Sequence, residues 1–462
     1  MIAYLKKLLF LTPLTTMALL CSCNQEHKED GYVAYFGGEI INPNSKFVYL
    51  CKDNEVIDTI ELDSKNRFLQ KYDSLAPGMY TFKHDPEYQY IYFDKNDSLM
   101  IRLNTNEFDS SLTFCGRGDE KNNFLMELFL KNEDDRNASF DLFDKDFLTY
   151  SKAIDKEYNA TKAFYLRRQT EVNWSEDFDL YAKNMMDMHY FSKKEMYPFV
   201  HKRRTSESVC SFLPKDYYSF RKNIDYNNEK LTNFSPFVRY LTSMLNNVTC
   251  SENDKSLDNN IKKLQIADSI FTNVKIKNTI LNNIAFMYLL EDQNVMNNKA
   301  FLEKYFKLST DKEKQKEIKK IGESIQMLAP NKPLLKVDLI DTQEKPVDIK
   351  NILTKNTVVF FWTSEAKSHM NLAHKRASEL QARFPNWNFI SINIDDSPTK
   401  WKETLSKYSF KNTTELHATN FEDLKEKWVI TKIHRVMLVN ANGTIKNGFV
   451  NLFDAQFESY LK

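Results

Sequence analysis

Glycine and proline are scarce, at 9 and 12 of 462 residues, while aromatic residues reach 13%. That balance excludes a long disordered linker and points to packed globular structure. No phosphate-binding glycine loop, zincin helix motif or cysteine pair at metal-ligand spacing is present. Neither sign of charge dominates: 64 Lys and Arg stand against 63 Asp and Glu, a net charge of +1. The whole-chain field therefore gives no support for nucleic-acid binding. Cysteine is limited to six residues, and none lies beyond Cys250. The length suffices for about three domains of ordinary size.

The first residues have the pattern of a processing signal. Lys6 and Lys7 form a positive start, and Leu8 to Leu20 is an apolar run too short to span a bilayer comfortably. It leads into Leu20-Cys21-Ser22-Cys23, which resembles a bacterial lipobox with Cys23 as the lipidated residue; a plain signal peptide is the alternative. The expected organisation is a signal peptide over 1–22 and a polar tether over 23–30. An acylated Cys23 would hold the body to a membrane outside the cytoplasm. Asn24 carries no aspartate-type inner-membrane retention signal, so the outer membrane is the expected destination. Loss of Cys21 and acylation of Cys23 would leave Cys51, Cys115, Cys210 and Cys250, as free thiols or as bridges that sequence cannot assign.

Residues 31–118 have a β pattern. Runs such as Tyr32 to Ile41, Lys46 to Cys51, Val56 to Leu62, Met79 to His84, Tyr88 to Phe93 and Ser98 to Leu103 are rich in β-branched and aromatic residues, with turn residues between them. Short strands at this spacing predict an all-β sandwich or small barrel. Residues 119–330 turn helical, with apolar residues three and four apart. Lys312 to Met327 is the last such helix, stopped by Pro330 and Pro333. Met185-Met186-Asp187-Met188-His189-Tyr190-Phe191 is expected to be helical core packing, since methionine and aromatic side chains fill irregular interiors. His201-Lys202-Arg203-Arg204 is a short basic patch that either faces a phosphate or headgroup or is simply exposed.

In residues 331–462 strands alternate with helices. Val358-Val359-Phe360-Phe361-Trp362 is a buried strand, Thr363 to His369 a polar turn, and Met370 to Phe384 an amphipathic helix. His434 to Asn440 and Thr444 to Val450 pair across Ala441-Asn442-Gly443, where Asn-Gly is expected to supply positive φ angles. A helix over Phe453 to Leu461 is expected to close the domain. The order predicts a mixed sheet covered on both faces.

The strand-turn-helix resembles the centre of thioredoxin-fold disulfide reductases of the TlpA type, whose strand ends in Phe-Trp before Trp-Cys-x-x-Cys. Aligned on Phe361-Trp362, the two cysteine positions fall on Ala366 and His369, and the family's cis-proline position falls on His434. Disulfide exchange needs an attacking thiolate and a second sulfur to resolve the mixed disulfide, and neither is supplied. A cis bond before a residue other than proline costs about 3 kcal/mol, so a trans peptide is expected before His434. Gly38 to Asn42, Val56-Ile57-Asp58-Thr59, Pro77-Gly78-Met79-Tyr80 and Asn96-Asp97-Ser98-Leu99 are similar to a β-domain that precedes thioredoxin-like domains in lipoproteins of Bacteroides-like bacteria.

The resemblance implies that Glu365, Ala366, Lys367, Ser368, His369, His434 and Arg435 line one shallow groove. Two imidazoles and a carboxylate are zinc- or copper-type ligands and acid-base groups. Lys367 and Arg435 beside a helix N-terminus make an anion site the alternative, opposed by Glu365. The expectation is nevertheless no catalytic residue, no metal and no cofactor. The chain reads as a lipid-anchored outer-membrane protein whose redox-inactive thioredoxin-like domain binds another envelope protein or a peptide, with no nucleic-acid partner. Two alternatives keep an enzyme: a thioredoxin-fold catalyst working through His369 and His434, with or without a metal, or a disulfide isomerase using cysteines outside this domain.

Overall fold

A computed structural model describes residues 33–209, 213–249, 256–291, 295–394, 396–430, 432–454 and 457–462. The lipobox with Cys23, the tether, Cys210 and Cys250 lie outside the described residues. The chain divides into two compact units. The first comprises residues up to Tyr217 together with Asn233–Tyr240, and the second comprises Tyr218–Thr232 with Leu241–Lys462.

In the first unit, β1 (Ala34–Ile41), β4 (Arg67–Tyr72), β7 (Ser98–Asn104) and β8 (Thr113–Arg117) form a four-stranded sheet in the order β4-β1-β7-β8. A second sheet takes β2 (Phe47–Lys52), β3 (Glu55–Glu61), β5 (Gly78–His84) and β6 (Glu87–Phe93) in the order β3-β2-β5-β6. Phe36, Ile40 and Leu99 from one sheet share a core with Leu50, Phe82 and Ile91 from the other, which makes the pair a sandwich. β4 and β8 escape sequence periodicity because each is an edge strand with one buried side chain, Phe68 and Phe114. Cys51, buried in β2, and Cys115, exposed in β8, are free thiols.

Helices follow the sandwich. α1 (Phe108–Ser111) is a single turn, and α2 (Asp119–Ala138), α3 (Phe147–Val172) and α4 (Glu176–Thr205) are long. Asp146 and Ser175 cap α3 and α4, their side chains accepting first-turn N–H groups. The basic patch is the last turn of α4, where cations favour the helix dipole. His201 is buried against the Phe143 carbonyl at 2.8 Å, and Arg204 forks onto Asp144. These contacts give His201 and Arg204 structural work in place of a phosphate or headgroup role.

The second unit carries most of α5 (Ser235–Thr249), then α6 (Leu257–Ile270), α7 (Val274–Glu291), α8 (Asn298–Leu308) and α9 (Lys312–Met327). Its sheet is built from β9 (Leu339–Ile340), β10 (Pro346–Val347), β11 (Asn356–Trp362), β12 (Trp387–Asn393), β13 (Thr414–Ala418), β14 (Arg435–Val439) and β15 (Ile445–Asn451). The order is β10-β9-β13-β12-β11-β14-β15, with β11 parallel to β12 and antiparallel to β14. α10 (Ile349–Ile352) leads into β11, α11 (Lys367–Arg383) follows it, and α12 (Pro398–Tyr408) and α13 (Phe421–Trp428) connect the later strands.

Every residue of β11 from Thr357 to Trp362 is buried. Val358, Phe360 and Trp362 pack with Met370, Ala373 and Ala377 of α11, while Phe361 on the opposite face meets Trp428 of α13. Two local expectations are corrected. In the β14–β15 hairpin the positive φ belongs to Gly443 alone, at 78°, and Asn442 keeps an ordinary φ. The Gly443 N–H donates to the Asn440 carbonyl and the Asn440 N–H to the Thr444 carbonyl, a tight turn followed by a glycine bulge. The terminal helix shrinks to a 3-10 turn over Phe457–Tyr460. Among the described residues no helix is long and apolar enough to cross a membrane.

Candidate functional site

The groove is built at the carboxyl end of β11, where parallel strands deliver their loops. The Trp362 indole N–H donates to the Ser391 hydroxyl at 2.6 Å and fixes the end of the strand. The turn that follows is pinned by Asp396, whose side chain is 1% exposed. Its carboxylate accepts the Ser364 N–H and hydroxyl, each at 2.8 Å, and the Asn393 amide at 2.7 Å. Burial alone would raise the Asp396 pKa, but the Asn393 and Ser364 hydrogen bonds and nearby Lys400 outweigh it and leave it lowered.

α11 starts with Ala366 as its cap residue and has no side-chain cap. The Met370 N–H reaches the Ala366 carbonyl at 2.9 Å, so Ala366 and His369 share the first turn. Lys367 and Ser368 are exposed, and Ala366 and His369 are half-buried. The His369 ring meets Phe453 edge-on at 5.9 Å, and its Nδ1 is a buried atom without a hydrogen-bond partner. His434 stands half-buried in the turn before β14, and Ile433–His434 is trans; among the described residues the cis peptide is Asp85–Pro86.

The structure brings His369 and His434 within electrostatic reach of one another. Burial lowers the His369 pKa, and the proximity of His434 and His374 lowers it further. His434 is lowered by burial and then by Lys432. Both imidazoles are therefore neutral at pH 7, the form that binds metals or accepts protons. Glu365 does not complete a ligand set, because its carboxylate is held by Lys400. Among the described residues no group of three or more His, Cys, Asp and Glu side chains is arranged for a metal.

Arg435 leaves the groove, which corrects its expected place there. It is 7% exposed, its Nε donates to the Gly448 carbonyl at 2.8 Å, and its Nη1 donates to the Val429 carbonyl. The guanidinium lies 4.3 Å over the Phe449 ring, and burial pushes its pKa down to about 9. The cause is register: Arg435 is the first residue of β14 and its side chain turns into the sheet packing. An anion at the α11 N-terminus would meet Lys367 and the helix dipole, without this second cation.

Asp396, Asn393 and Phe453 shape the site without having been singled out from sequence. The available signal was the apolar run Phe389-Ile390-Ser391-Ile392, which ends in the polar residues Asn393 and Asp396. A second buried polar network lies deeper. His374 stacks on Phe410 at 3.5 Å and approaches the Ser391 hydroxyl at 3.2 Å, while that hydroxyl donates to Glu415 at 2.7 Å. Ser391 is 0% exposed, so this serine, histidine and glutamate are structural.

Residues 354–445 match a protein family described as thioredoxin-like. No curated protein matches the chain. Among solved structures, the chain is similar to the thioredoxin domain of a thiol-disulfide oxidoreductase from Bacteroides vulgatus, at 16% identity and a TM-score of 0.26 over 29% of this chain and 99% of that one. It is similar to a thioredoxin-like protein from Bacteroides caccae at 12% identity and a TM-score of 0.38, over 54% of this chain and 93% of that one. A secreted Mycobacterium tuberculosis disulfide oxidoreductase is similar at 21% identity and a TM-score of 0.21, over 25% of this chain and 83% of that one. The C-terminal α/β region that contains this matched segment, with its β11–α11 unit and its β14–β15 hairpin, is a thioredoxin-like domain.

Proposed function

We propose that the protein is an envelope lipoprotein, anchored to the outer membrane through acylated Cys23, whose thioredoxin-like domain binds a protein or peptide partner and exchanges no disulfides. One observation carries this: the first turn of α11 holds Ala366 and His369 where exchange chemistry requires two sulfurs. The described free cysteines, Cys51 and Cys115, belong to the β-sandwich unit. The surface proposed for the partner lies at the α11 N-terminus, where the His369 ring meets exposed Phe453 edge-on at 5.9 Å. Insulin reduction by the purified chain tests the redox part, with no turnover expected. Palmitate labelling of the wild type and of Cys23→Ala tests the anchor, with label lost in the variant.

A second reading has its own observation. His369 and His434 are neutral neighbours, and His369 Nδ1 is unpaired. A catalyst built on this pair would hold a stoichiometric metal lost in both His369→Ala and His434→Ala. In metal analysis of the three proteins, stoichiometric metal lost in both variants favours this second reading in its metal-dependent form.

A further inference from the structure

The first unit contains a cavity of about 500 Å³ between β6, α2, α4 and residues 235–239. That volume lies within the range of about 300–1,000 Å³ found for small-molecule sites. Phe129, Phe143, Met185, Met188 and Met196 make most of its wall apolar. Methionine side chains are polarisable and adjust to the shape of an apolar guest. Met185 and Met188 belong to the cluster expected to be core, and they are buried at 2% and 4% exposure while bordering space that no side chain fills.

The charged groups on this wall are paired or stand in water. Asp135 accepts His189 Nε2 at 2.6 Å, the Ser139 hydroxyl at 2.9 Å and the Lys193 ammonium. Arg136 lies 4.0 Å from Glu133, Arg239 donates to the Ser235 hydroxyl at 3.3 Å, and both arginines are exposed. Half-buried Asp109 accepts the Gln89 amide at 3.1 Å, and Glu87 is exposed. An ionic guest would shed its hydration here and gain no unpaired charge in return.

Two polar atoms on α4 have no protein partner. Ser192 is 9% exposed and lines the cavity, and its hydroxyl makes no hydrogen bond among the described residues. A buried hydroxyl costs free energy until something pairs with it. His189, also on the wall, lies three positions earlier on the same helix face, which sets the two Cβ atoms about 5–6 Å apart. Burial alone would raise the Asp135 pKa, but hydrogen bonds from His189 and Lys193 outweigh it and leave it lowered, so this carboxylate is ionised and only accepts. His189 Nε2 is then the donor of that pair, and burial lowers the His189 pKa against the pull of Asp135, which keeps the ring neutral at pH 7. Nδ1 is therefore an acceptor, and no described group donates to it. One hydroxyl group placed between the two side chains accepts from Ser192 and donates to Nδ1 with a single oxygen.

We propose that this cavity binds an uncharged, largely apolar molecule carrying one hydroxyl group, with the hydroxyl bridging Ser192 and His189 and the body against the phenylalanine and methionine wall. A guest of the same shape without the hydroxyl leaves Ser192 and Nδ1 unpaired, and a carboxylate in its place meets Nδ1 lone pair to lone pair. The site stands independently of the thioredoxin-like groove.

Equilibrium dialysis of the full chain at neutral pH tests this with three probes of one shape: para-butylphenol, butylbenzene and para-butylbenzoate. The phenol is expected to bind one-to-one and at least tenfold more tightly than either of the others. Ser192→Ala removes no hydrogen bond within the protein and suits a helix, so that variant should fold. It should weaken the phenol about threefold or more and leave butylbenzene unchanged. His189→Leu should do the same, with butylbenzene reporting that the cavity is intact; should that variant not fold, Ser192→Ala still decides. Absence of phenol binding to the wild type, butylbenzene or para-butylbenzoate binding as tightly as the phenol, or an unchanged phenol affinity in Ser192→Ala would overturn the proposal.

Discussion

Ser364 and Asp396 are joined twice, the Ser364 N–H donating to one carboxylate oxygen and its hydroxyl to the other, each at 2.8 Å. This double link fixes the turn between β11 and α11 from a residue in the loop after β12, 32 positions away. Asp396→Ala leaves a buried N–H, a hydroxyl and the Asn393 amide without their acceptor. A loss of about 2–4 kcal/mol is expected from charge-assisted bonds of this kind. Because the folded pKa of Asp396 lies below its ordinary value of 3.8, its contribution is complete above that value and disappears as pH falls through the folded one. Urea unfolding between pH 2 and 6 should therefore show a wild-type acid slope that is shallower in Asp396→Ala.

How far such features were legible in the sequence depends on what periodicity reports. Lys312–Met327 has the bounds expected of it, because a cap and a proline mark its ends: Asp311 accepts a first-turn N–H, and Pro330 follows. The β11 run is equally plain, as a strand buried on both faces must be apolar throughout. Asp396 is opaque for the opposite reason: a solvated acid and a buried one look alike until the Ser364 turn is folded against it. The same limit applies to Met185 and Met188, buried at 2% and 4% exposure: their spacing says that they face inward and says nothing of what they border. Arg435 was misplaced by a turn geometry that sequence does not encode, one residue deciding between groove and sheet.

Arg435 supports a structural prediction that distinguishes it from a groove cation. Arg435→Ala leaves the Gly448 and Val429 carbonyls unanswered and removes packing over Phe449. Stability should fall by about 2–4 kcal/mol. Arg435→Met, which keeps the stem, should lose less. Chemical denaturation gives both values, and a peptide or anion titration of the folded Arg435→Met protein should match the wild type.

Three histidines of the second unit set its behaviour in mild acid. Burial lowers His369, His417 and His434 below their ordinary value of 6.5, and Asp396 only partly offsets this at His417. The unfolded chain then binds protons that the folded unit refuses, so stability rises with pH below 6.5 and is level above it. Thermal unfolding followed from pH 5 to 8 should show this slope. His369→Gln and His434→Gln should each reduce it, and a slope unchanged in both would place the titrating groups elsewhere.

Restoring sulfur is the sharpest test of what the α11 turn has kept. Ala366 and His369 are the cap and third residues of the helix, so cysteines there would sit one turn apart at first-turn backbone N–H groups that no cap side chain accepts. Those groups and the dipole stabilise a thiolate, lowering the pKa of the thiol that Ala366→Cys introduces at the cap. Lys367 adds a positive charge beside it. The variant Ala366→Cys/His369→Cys is therefore expected to form an internal disulfide and to reduce insulin measurably, where the wild type does not. His434 would still occupy the position beside the active turn, so turnover should rise further with His434→Pro. If the two-cysteine variant folds, forms its disulfide and remains inert even with that third change, the groove has lost more than its sulfur, and the domain's binding surface must then be sought away from the α11 N-terminus.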